Sequence, residues 1–426
     1  MAQPKEQHMS NTTDNHETTC SFCSKRASEV KRMVAGPAVF ICDECNQTVS
    51  DVMRDTAAKE SQKQESSGRV PTPREIHQKL NEHVIGQEDA KKTLSIAVHN
   101  HYVRIENDGK LGDIEFDKCN VMLIGPTGTG KTLLAQTLAT MLDVPFAMAD
   151  ANSMTEAGYV GEDVESMIHT LLSRCDHDVA KAERGIIFID EVDKIAKKQA
   201  GPSVTREVGG VGVQQALLKL LEGTEVSVPA DGKRKHPGTN MIKVNTKNIL
   251  FILGGSFAGI EEVTNNKGPK DSAIGFSANV DTKSKRDDAS TAISKVEPED
   301  LIKFGMIQEF MGRVPVVAKM QALSEDDLVR VLQEPKNALI KQYTSLMNIY
   351  GVSLKFEPDS MKAIAKKALD LKTGARGLKS ILEGALKETM YEAPSDKDLI
   401  EVVVTSDNIM NKTPPVLLRK EIPTAA

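Results

Sequence analysis

The sequence predicts an α/β protein built on a parallel sheet with helices on both faces, preceded by a small metal-binding module. Three observations lead to this prediction. A glycine-rich loop lies between a short apolar run and a helical segment at residues 121–142. A second apolar run ends in two carboxylates at residues 185–191, and two Cys-x-x-Cys pairs lie near the N-terminus. Short apolar runs are typical of strands that are buried on both faces of a parallel sheet.

The glycine-rich loop fits the phosphate-binding P-loop pattern, G-x-x-x-x-G-K-[ST]. Its residues are Gly125, Pro126, Thr127, Gly128, Thr129, Gly130, Lys131 and Thr132. Glycines let backbone N–H groups turn toward phosphate oxygens, and the following helix adds its positive N-terminus. We expect Lys131 to reach the β- and γ-phosphates of ATP and the Thr132 hydroxyl to hold Mg²⁺. The alternative is a chance glycine-rich turn, which would not require a flanking strand and helix.

The second apolar run, residues 185–189, predicts a buried strand that ends at Asp190 and Glu191. Open α/β sheets bind ligands at the carboxyl ends of their strands. We expect Asp190 to contribute to the Mg²⁺ shell and Glu191 to orient or deprotonate the attacking water. The alternative is a pair of exposed turn acids. A third apolar run, residues 249–253, predicts another strand, after which a γ-phosphate sensor is expected but not identified.

Two arginines beside glycines are further candidates. Arg313 follows Gly312 and can project from the surface, as do the arginine fingers that complete a neighbouring subunit's site in oligomeric ATPases. The alternative is an ordinary surface ion pair. Arg376 lies in a Gly-Ala-Arg segment at the start of a predicted helix, in a small C-terminal α/β module, from which it could reach a bound triphosphate.

Cys20, Cys23, Cys42 and Cys45 give the spacing C-x2-C-x18-C-x2-C, which is within the pattern of zinc sites. Two such pairs can place four thiolates around one tetrahedral Zn²⁺ in a treble-cleft-like module, and a closed four-thiolate site is structural. Residues 29–41 predict a hairpin that turns near residues 36 and 37. The alternatives are a redox dithiol or four unpaired cysteines. The other two cysteines, Cys119 and Cys175, are expected to be core thiols.

Length and composition limit the classes of protein to which this chain can belong. The chain has 426 residues, enough for two or three domains, and a formal net charge of -6, which disfavours nucleic acid as the main partner. No apolar run approaches the roughly 18 residues of a membrane helix, and the first residues lack the core of a signal peptide. We therefore expect a cytoplasmic protein with no membrane partner.

Changes in composition suggest the domain boundaries. We expect a zinc module over residues 1–58, a linker over 59–70, a large ATPase domain over 71–318, a small lid domain over 319–410 and a mobile tail over 411–426. The linker has almost no apolar residues, and the polar segment 277–297 is expected to be a disordered insertion.

Three loop segments are candidate contact sites for other proteins. Tyr159 and Val160 form an apolar tip between glycines, although Tyr159 could instead fold back into the core. A basic loop contains Arg234, Lys235 and His236, and charge runs of this kind are usually solvated faces. The triplet Ile274, Gly275 and Phe276 interrupts a polar stretch as either a docking tip or a local anchor.

Taken together, these motifs resemble the ClpX family of AAA+ unfoldases from Cys20 to about Val404. The resemblance rests on the zinc knuckle, the P-loop, residues 84–87, 158–161, 190–191, 234–236, 274–276 and 372–376. It implies a homohexameric ring that binds ATP between subunits and passes unfolded proteins to a ClpP-type peptidase. No protease nucleophile arrangement is evident in the chain, so degradation would need that partner.

The resemblance also implies roles for individual residues. Val84 and Ile85 would line the adenine pocket, Arg313 would act in trans, and Arg376 would sense nucleotide from the lid. Tyr159 and Val160 would grip substrate in the pore, while the loop of Arg234, Lys235 and His236 would select tagged substrates. The triplet of Ile274, Gly275 and Phe276 would dock the peptidase, and the zinc modules would pair and recruit adaptors.

Four positions depart from the family pattern. Gly209 and Val211 replace the usual Ser and Glu of a lower pore loop, and Gln308 and Met311 replace Pro and Ile beside the expected finger. These departures affect the expected pore grip and finger geometry and not the nucleotide chemistry. The competing readings are an HslU-type unfoldase, which lacks the zinc knuckle, a zinc-bearing AAA+ remodeller of nucleic acids, and a scaffold without ATP turnover.

Overall fold

A computed structural model describes residues 19–37, 39–50, 69–110, 116–155, 162–197, 210–229, 241–265 and 293–420. The chain forms two compact units, Met1–Val70 and Pro71–Ala426. The predicted linker ends at the boundary between them, although residues 59–68 lie outside the described part of the chain.

The first unit contains an antiparallel hairpin of β1 (Met33–Ala35) and β2 (Phe40–Cys42). The backbone N–H of Gly36 donates to the Val39 carbonyl at 2.7 Å, which closes the turn at the predicted place. Helical backbone follows directly over residues 43–50. Cys42 therefore ends a strand and Cys45 lies in the first turn of a helix.

The second unit begins with a large α/β domain. Its strands are β3 (Val121–Ile124), β4 (Phe146–Asp150), β5 (Met154–Thr155), β6 (Glu162–Asp163), β7 (Ile186–Asp190), β8 (Glu225–Pro229), β9 (Met241–Asn245), β10 (Leu250–Gly255) and β11 (Val316–Lys319). Its helices are α1 (Pro73–Asn81), α2 (Glu88–Glu106), α3 (Lys131–Leu142), α4 (Ser166–Ser173), α5 (Val179–Ala182), α6 (Gly210–Glu222), α7 (Ile260–Asn265), α8 (Pro298–Phe304) and α9 (Gln308–Gly312).

Five of these strands form one sheet in the order β11-β3-β10-β7-β4, and every pairing is parallel. Alternate residues of a strand face opposite sides of a sheet. Along β7, Ile187 and Ile189 belong to one apolar cluster, yet Ile186 and Phe188 on the other face are equally inaccessible. Both faces are therefore covered, and the predicted parallel sheet is confirmed.

The small C-terminal domain is also α/β. It contains the helices α10 (Glu325–Gln333), α11 (Leu339–Ile349), α12 (Pro358–Asp370), α13 (Ala375–Glu392) and α14 (Ser406–Met410), and the strands β12 (Ser353–Phe356), β13 (Leu399–Val404) and β14 (Val416–Arg419). The Ser324 hydroxyl accepts from the Asp327 N–H at 3.1 Å and caps α10.

Two expectations about disorder are wrong in part. The predicted mobile tail contains β14, which pairs antiparallel with β13 and packs Leu417 against the small-domain core. The predicted insertion ends earlier than residue 297, because Ile293 and Val296 are buried in the core of the large domain. In both segments a few apolar side chains pack against residues that are distant in the sequence. The polarity of the segment itself does not reveal these contacts.

Candidate nucleotide site and zinc module

The P-loop connects β3 to α3 at the carboxyl edge of the sheet. Its first N–H, from Gly125, donates to the Gly255 carbonyl at the end of β10 at 3.2 Å. Gly128 and Gly130 adopt φ values of 78° and 99°, which favour glycine. Gly130 caps the first turn of α3, so the loop opens onto the positive end of that helix. The backbone thus has the geometry needed to bind an anion.

Lys131 lies beneath this loop and is only 8% exposed. Its Nζ donates to the carbonyls of Gly125 at 2.6 Å and Pro126 at 2.9 Å. Burial lowers the pKa of Lys131, while the carboxylates of Asp190 and Asp193 act in the opposite direction. The ammonium group is therefore held in the loop, where it can donate to phosphate oxygens.

The two residues expected to face Mg²⁺ meet across the edge of the sheet. Thr132 Oγ1 donates to Asp190 Oδ2 at 3.3 Å, and the other Asp190 oxygen accepts from the Glu191 N–H at 2.9 Å. Hydroxyl and carboxylate oxygens are ligands that Mg²⁺ prefers, so this pair fits the ion. Glu191 is exposed and has a left-handed φ of 56°, which directs the chain away from the strand at this point.

A second carboxylate, which the sequence analysis did not assign, ties β7 to β10. Asp193 is buried, and its two oxygens accept from the Ser256 N–H and the Ser256 hydroxyl, each at 2.9 Å. Ser256 is the first polar residue after β10, where the γ-phosphate sensor was expected. A polar residue directly after a buried strand is the sequence signal that marks Ser256 as a candidate for that role.

Val84 and Ile85 are buried at the base of the same site. They line a cleft of about 450 Å³ together with Gly86, Lys91, Arg330 and Lys336. A Cβ atom on Gly130 would lie 3.7 Å from Val84 Cγ1, so this segment adjoins the P-loop. The cleft is formed by the start of the large domain and by α10 of the small domain.

The small domain also contacts the P-loop through the segment before α13. A Cβ atom on Gly128 would lie 3.0 Å from the Thr373 carbonyl oxygen and 3.2 Å from the Ala375 nitrogen. The neighbouring Arg376 is exposed in the first turn of α13, and its charge contributes to lowering the pKa of Lys131. Arg376 therefore lies on the nucleotide side of the small domain.

Arg313 lies at the opposite edge of the sheet from the P-loop. It precedes β11, and its carbonyl accepts from Asn120 Nδ2 at 2.7 Å, immediately before β3 begins. Its side chain is 55% exposed, and Nε donates to Glu222 Oε1 at 2.9 Å. The structure thus brings Lys131, Thr132, Asp190 and Glu191 together and separates Arg313 from them.

The four N-terminal cysteines form a cluster in the first unit. Their sulfur atoms all lie within 4.8 Å of one another, and the Sγ atoms of Cys23 and Cys42 are 3.7 Å apart. Zn–S bonds of about 2.3 Å place tetrahedral sulfurs about 3.8 Å from each other. The cluster therefore fits a zinc ion.

The backbone of the zinc module favours thiolate at Cys20. Burial opposes its ionisation, but hydrogen bonds from the backbone of Cys23, Phe22 and Cys42 outweigh it and lower the pKa of Cys20 to about 6. Hydrogen bonding to the Cys23 thiol raises the pKa of Cys45 to about 12. A thiolate is the form that binds Zn²⁺.

Several predicted site residues lie outside the described part of the chain. They are Tyr159, Val160, Gly209, Arg234, Lys235, His236, Ile274, Gly275 and Phe276. The structure does show that β8 and β9 form an antiparallel hairpin on either side of residues 230–240. In sequence, the basic residues therefore lie between the two strands of a hairpin that the sequence analysis did not predict.

Comparison with protein-family models gives three matches. Residues 18–55 match the ClpX C4-type zinc finger, and residues 117–317 match the AAA domain (Cdc48 subfamily). Residues 323–405 match the C-terminal, D2-small domain, of ClpB protein. The zinc finger decides between the AAA+ groups considered above. The three matches together are consistent with ClpX.

The AAA match, the five-stranded parallel sheet and the four-cysteine cluster confirm the predicted AAA+ α/β fold with an N-terminal zinc module. The AAA domain implies nucleotide binding and ATPase activity, and its combination with the zinc finger supports a Clp-type AAA+ unfoldase. Among the described helices, none has the length and apolar character needed to span a membrane.

Two departures from the ClpX pattern are compatible with a formed finger segment. Gln308 is exposed at the first position of α9, where its side chain contacts solvent. Met311 is buried in the same helix and belongs to the apolar core of the large domain. A flexible methionine can fill the space of a branched side chain, so α9 still ends at Gly312, directly before Arg313.

Proposed function

We propose that this ClpX-family chain forms a homohexameric, ATP-dependent unfoldase that threads tagged proteins through its central pore into a ClpP-type peptidase. One observation carries the nucleotide part of this proposal. The pair Lys131 and Thr132 and the pair Asp190 and Glu191 come from two separate segments and converge at one edge of the sheet. A scaffold without ATP turnover would not need the exposed carboxylate of Glu191.

The residues around the P-loop divide the chemistry of ATP hydrolysis among them. Backbone N–H groups of residues 125–130 and the Lys131 ammonium bind the phosphates. Thr132 and Asp190 would hold Mg²⁺, which would supply positive charge to neutralise the β- and γ-phosphates. Glu191 accepts a hydrogen bond from the attacking water and orients it. Ser256, fixed by Asp193, is positioned as the γ-phosphate sensor.

Two arginines complete the site in this proposal. Arg376 approaches the phosphates from the small domain and reports the presence of nucleotide to that domain. Arg313 acts in trans as a finger on the next subunit, because it projects from the opposite edge of the sheet. Val84 and Ile85 hold the adenine ring in the apolar part of the cleft.

The steps that involve protein partners rest on the family resemblance. Tyr159 and Val160 grip the substrate chain, and Arg234, Lys235 and His236 select tagged substrates at the pore entrance. Ile274, Gly275 and Phe276 dock the peptidase, and six such weak contacts on one ring act together. The zinc module pairs with its copies and recruits adaptors and some substrates. We propose a cytoplasmic location for this assembly.

A folded fluorescent protein with a C-terminal recognition tag tests the proposal. With ATP, the purified chain should abolish its fluorescence, and addition of a ClpP-type peptidase should release peptides. Glu191→Gln should bind ATP and lose at least about 10²-fold in turnover, because it lacks the water-activating carboxylate. If fluorescence persists while DNA stimulates the ATPase, the chain is a nucleic-acid remodeller and the proposal is wrong.

A further inference from the structure

The amide of Gln214 joins two segments of the large domain that carry catalytic roles. Gln214 lies in α6 and is fully buried. Its Nε2 donates to the Ile195 carbonyl at 2.7 Å and to the Gly305 carbonyl at 3.3 Å. Its Oε1 accepts from the Ile307 N–H at 2.8 Å. One side chain thus provides hydrogen-bond partners for backbone groups at Ile195 and in the segment of Gly305 and Ile307.

The donor side of this amide leads to the hydrolytic acids. Ile195 ends the 3-10 turn Val192–Ile195, which directly follows Asp190 and Glu191. Within that turn the Lys194 N–H donates to the Glu191 carbonyl at 2.9 Å. A change in the backbone at Glu191 therefore reaches Gln214 through a single short turn.

The acceptor side leads to the finger. Ile307 is the N-cap residue of α9, and Arg313 is its C-cap residue. The same helix α6 meets Arg313 again at its own C-terminus, where Glu222 accepts from Arg313 Nε at 2.9 Å. Asn120 Nδ2 links the Arg313 carbonyl to the Leu221 carbonyl, at 2.7 Å and 3.2 Å. Helix α6 thus fixes the finger segment at both of its ends.

We propose that Gln214 is a positioning residue that couples the hydrolytic acids of one subunit to the finger that this subunit offers its neighbour. The inference rests on the proposed trans role of Arg313 and adds a route by which the state of one site alters the next. Movement of the segment after Glu191 shifts the Ile195 carbonyl, Gln214 transmits the shift to Ile307, and α9 carries it to Arg313.

The chemistry of an amide is what this role requires. Gln214 donates on one side and accepts on the other, so neither a hydrocarbon nor a carboxylate side chain can make both contacts. Removing the amide leaves buried backbone groups without partners and lowers stability whether or not Gln214 has a functional role. The test must therefore separate loss of stability from loss of coupling.

A double-mutant cycle with Arg313→Ala makes that separation. On the hexameric protein, Gln214→Met should lower kcat about 3- to 30-fold, in the range of coupling mutations, with an unchanged ATP KM and a smaller Hill coefficient. Arg313→Ala alone should lower kcat on the order of 10³-fold. In the Arg313→Ala background, Gln214→Met should have no further effect on kcat.

Asn408→Leu is the matched control. Asn408 is a buried amide of the small domain that donates to the Pro414 carbonyl at 2.7 Å and accepts from the Thr405 N–H at 2.6 Å. Its replacement should lower the melting temperature without lowering kcat. If Gln214→Met prevents folding, Gln214→Asn replaces it, since it keeps a neutral amide but is one methylene too short to reach both Ile195 and Ile307.

Two results would overturn the inference and are distinguishable. If Gln214→Met slows hydrolysis equally with and without Arg313, Gln214 only supports the fold, and the finger assignment stands. If Arg313→Ala leaves kcat unchanged, the proposed finger is itself wrong and the inference fails with it.

Discussion

His101 is a single buried residue that makes the fold sensitive to acid. It lies in α2, is 1% exposed, and its Nε2 donates to the Asn248 carbonyl at 3.0 Å. Burial, followed by the nearby charges of Arg104 and Lys118, lowers the pKa of His101 to about 3, against its ordinary value of 6.5. The native protein therefore holds this imidazole neutral at any pH at which it functions.

We predict that the free energy of unfolding decreases as the pH falls below about 6.5. Between that value and about 3 the unfolded chain binds a proton at His101 that the folded chain does not, so acid favours unfolding. Well below pH 6.5, the free energy of unfolding should decrease by about 1.4 kcal/mol for each unit by which the pH falls. Urea unfolding at pH 7.5 and pH 5 measures it.

The His101→Gln variant should show a smaller loss of stability between these two pH values than the wild-type protein. Glutamine can still donate to the Asn248 carbonyl but does not titrate. His169→Gln, at a half-buried position, controls for the removal of any histidine. An unchanged pH dependence in His101→Gln would show that other groups cause the acid sensitivity.

At the scale of elements, the zinc module depends on its ligands for a core. Of its described apolar residues, only Cys20 and Cys42 are fully buried, while Phe22 and Val34 are 68% and 58% exposed. A unit of this kind gains most of its folding free energy from the metal. We predict one zinc per chain and loss of structure in residues 19–50 on chelation, with the ATPase body still folded.

Elemental analysis and limited proteolysis test this prediction. Cys42→Ser should lose zinc and expose the module to protease, whereas Cys119→Ser, which changes a half-buried thiol of the large domain, should retain it. Freshly purified protein without zinc, or a module that resists chelation and proteolysis, would contradict the assignment.

The elements that the sequence predicted well are those with a strong local signal. β3, β7 and β10 are continuous apolar runs, and the P-loop and the cysteine pairs have fixed spacings. β14 and the buried residues Ile293 and Val296 were missed because their stability comes from distant partners. The contacts of Gln214 and Asp193 could not be predicted from the sequence either, since each joins segments far apart in the chain.

At the scale of the whole molecule, the parallel sheet separates the P-loop from the segment of the proposed finger, Arg313. The P-loop follows β3 and the finger segment precedes β11, and these strands pair in parallel from Val121 with Val316 to Ile124 with Lys319. At about 3.3 Å per residue, these four residue pairs place roughly 13 Å of strand between the two edges. Arg313 therefore cannot readily complete the site of its own chain.

We predict that two inactive variants restore activity to each other when their subunits are mixed. Glu191→Gln retains the finger but lacks the water-activating carboxylate, and Arg313→Ala has the reverse defect. In a mixed ring, an intact Glu191 can lie opposite an intact Arg313 from the neighbouring subunit, so some sites are complete. ATP turnover of the mixture, measured after subunit exchange, should exceed that of either variant alone.

As a control, Glu191→Gln mixed with the double variant has no intact Glu191 and should stay inactive. If subunit exchange is verified and the first mixture is also inactive, Arg313 does not act between subunits, because only a finger in trans can be supplied by a different chain.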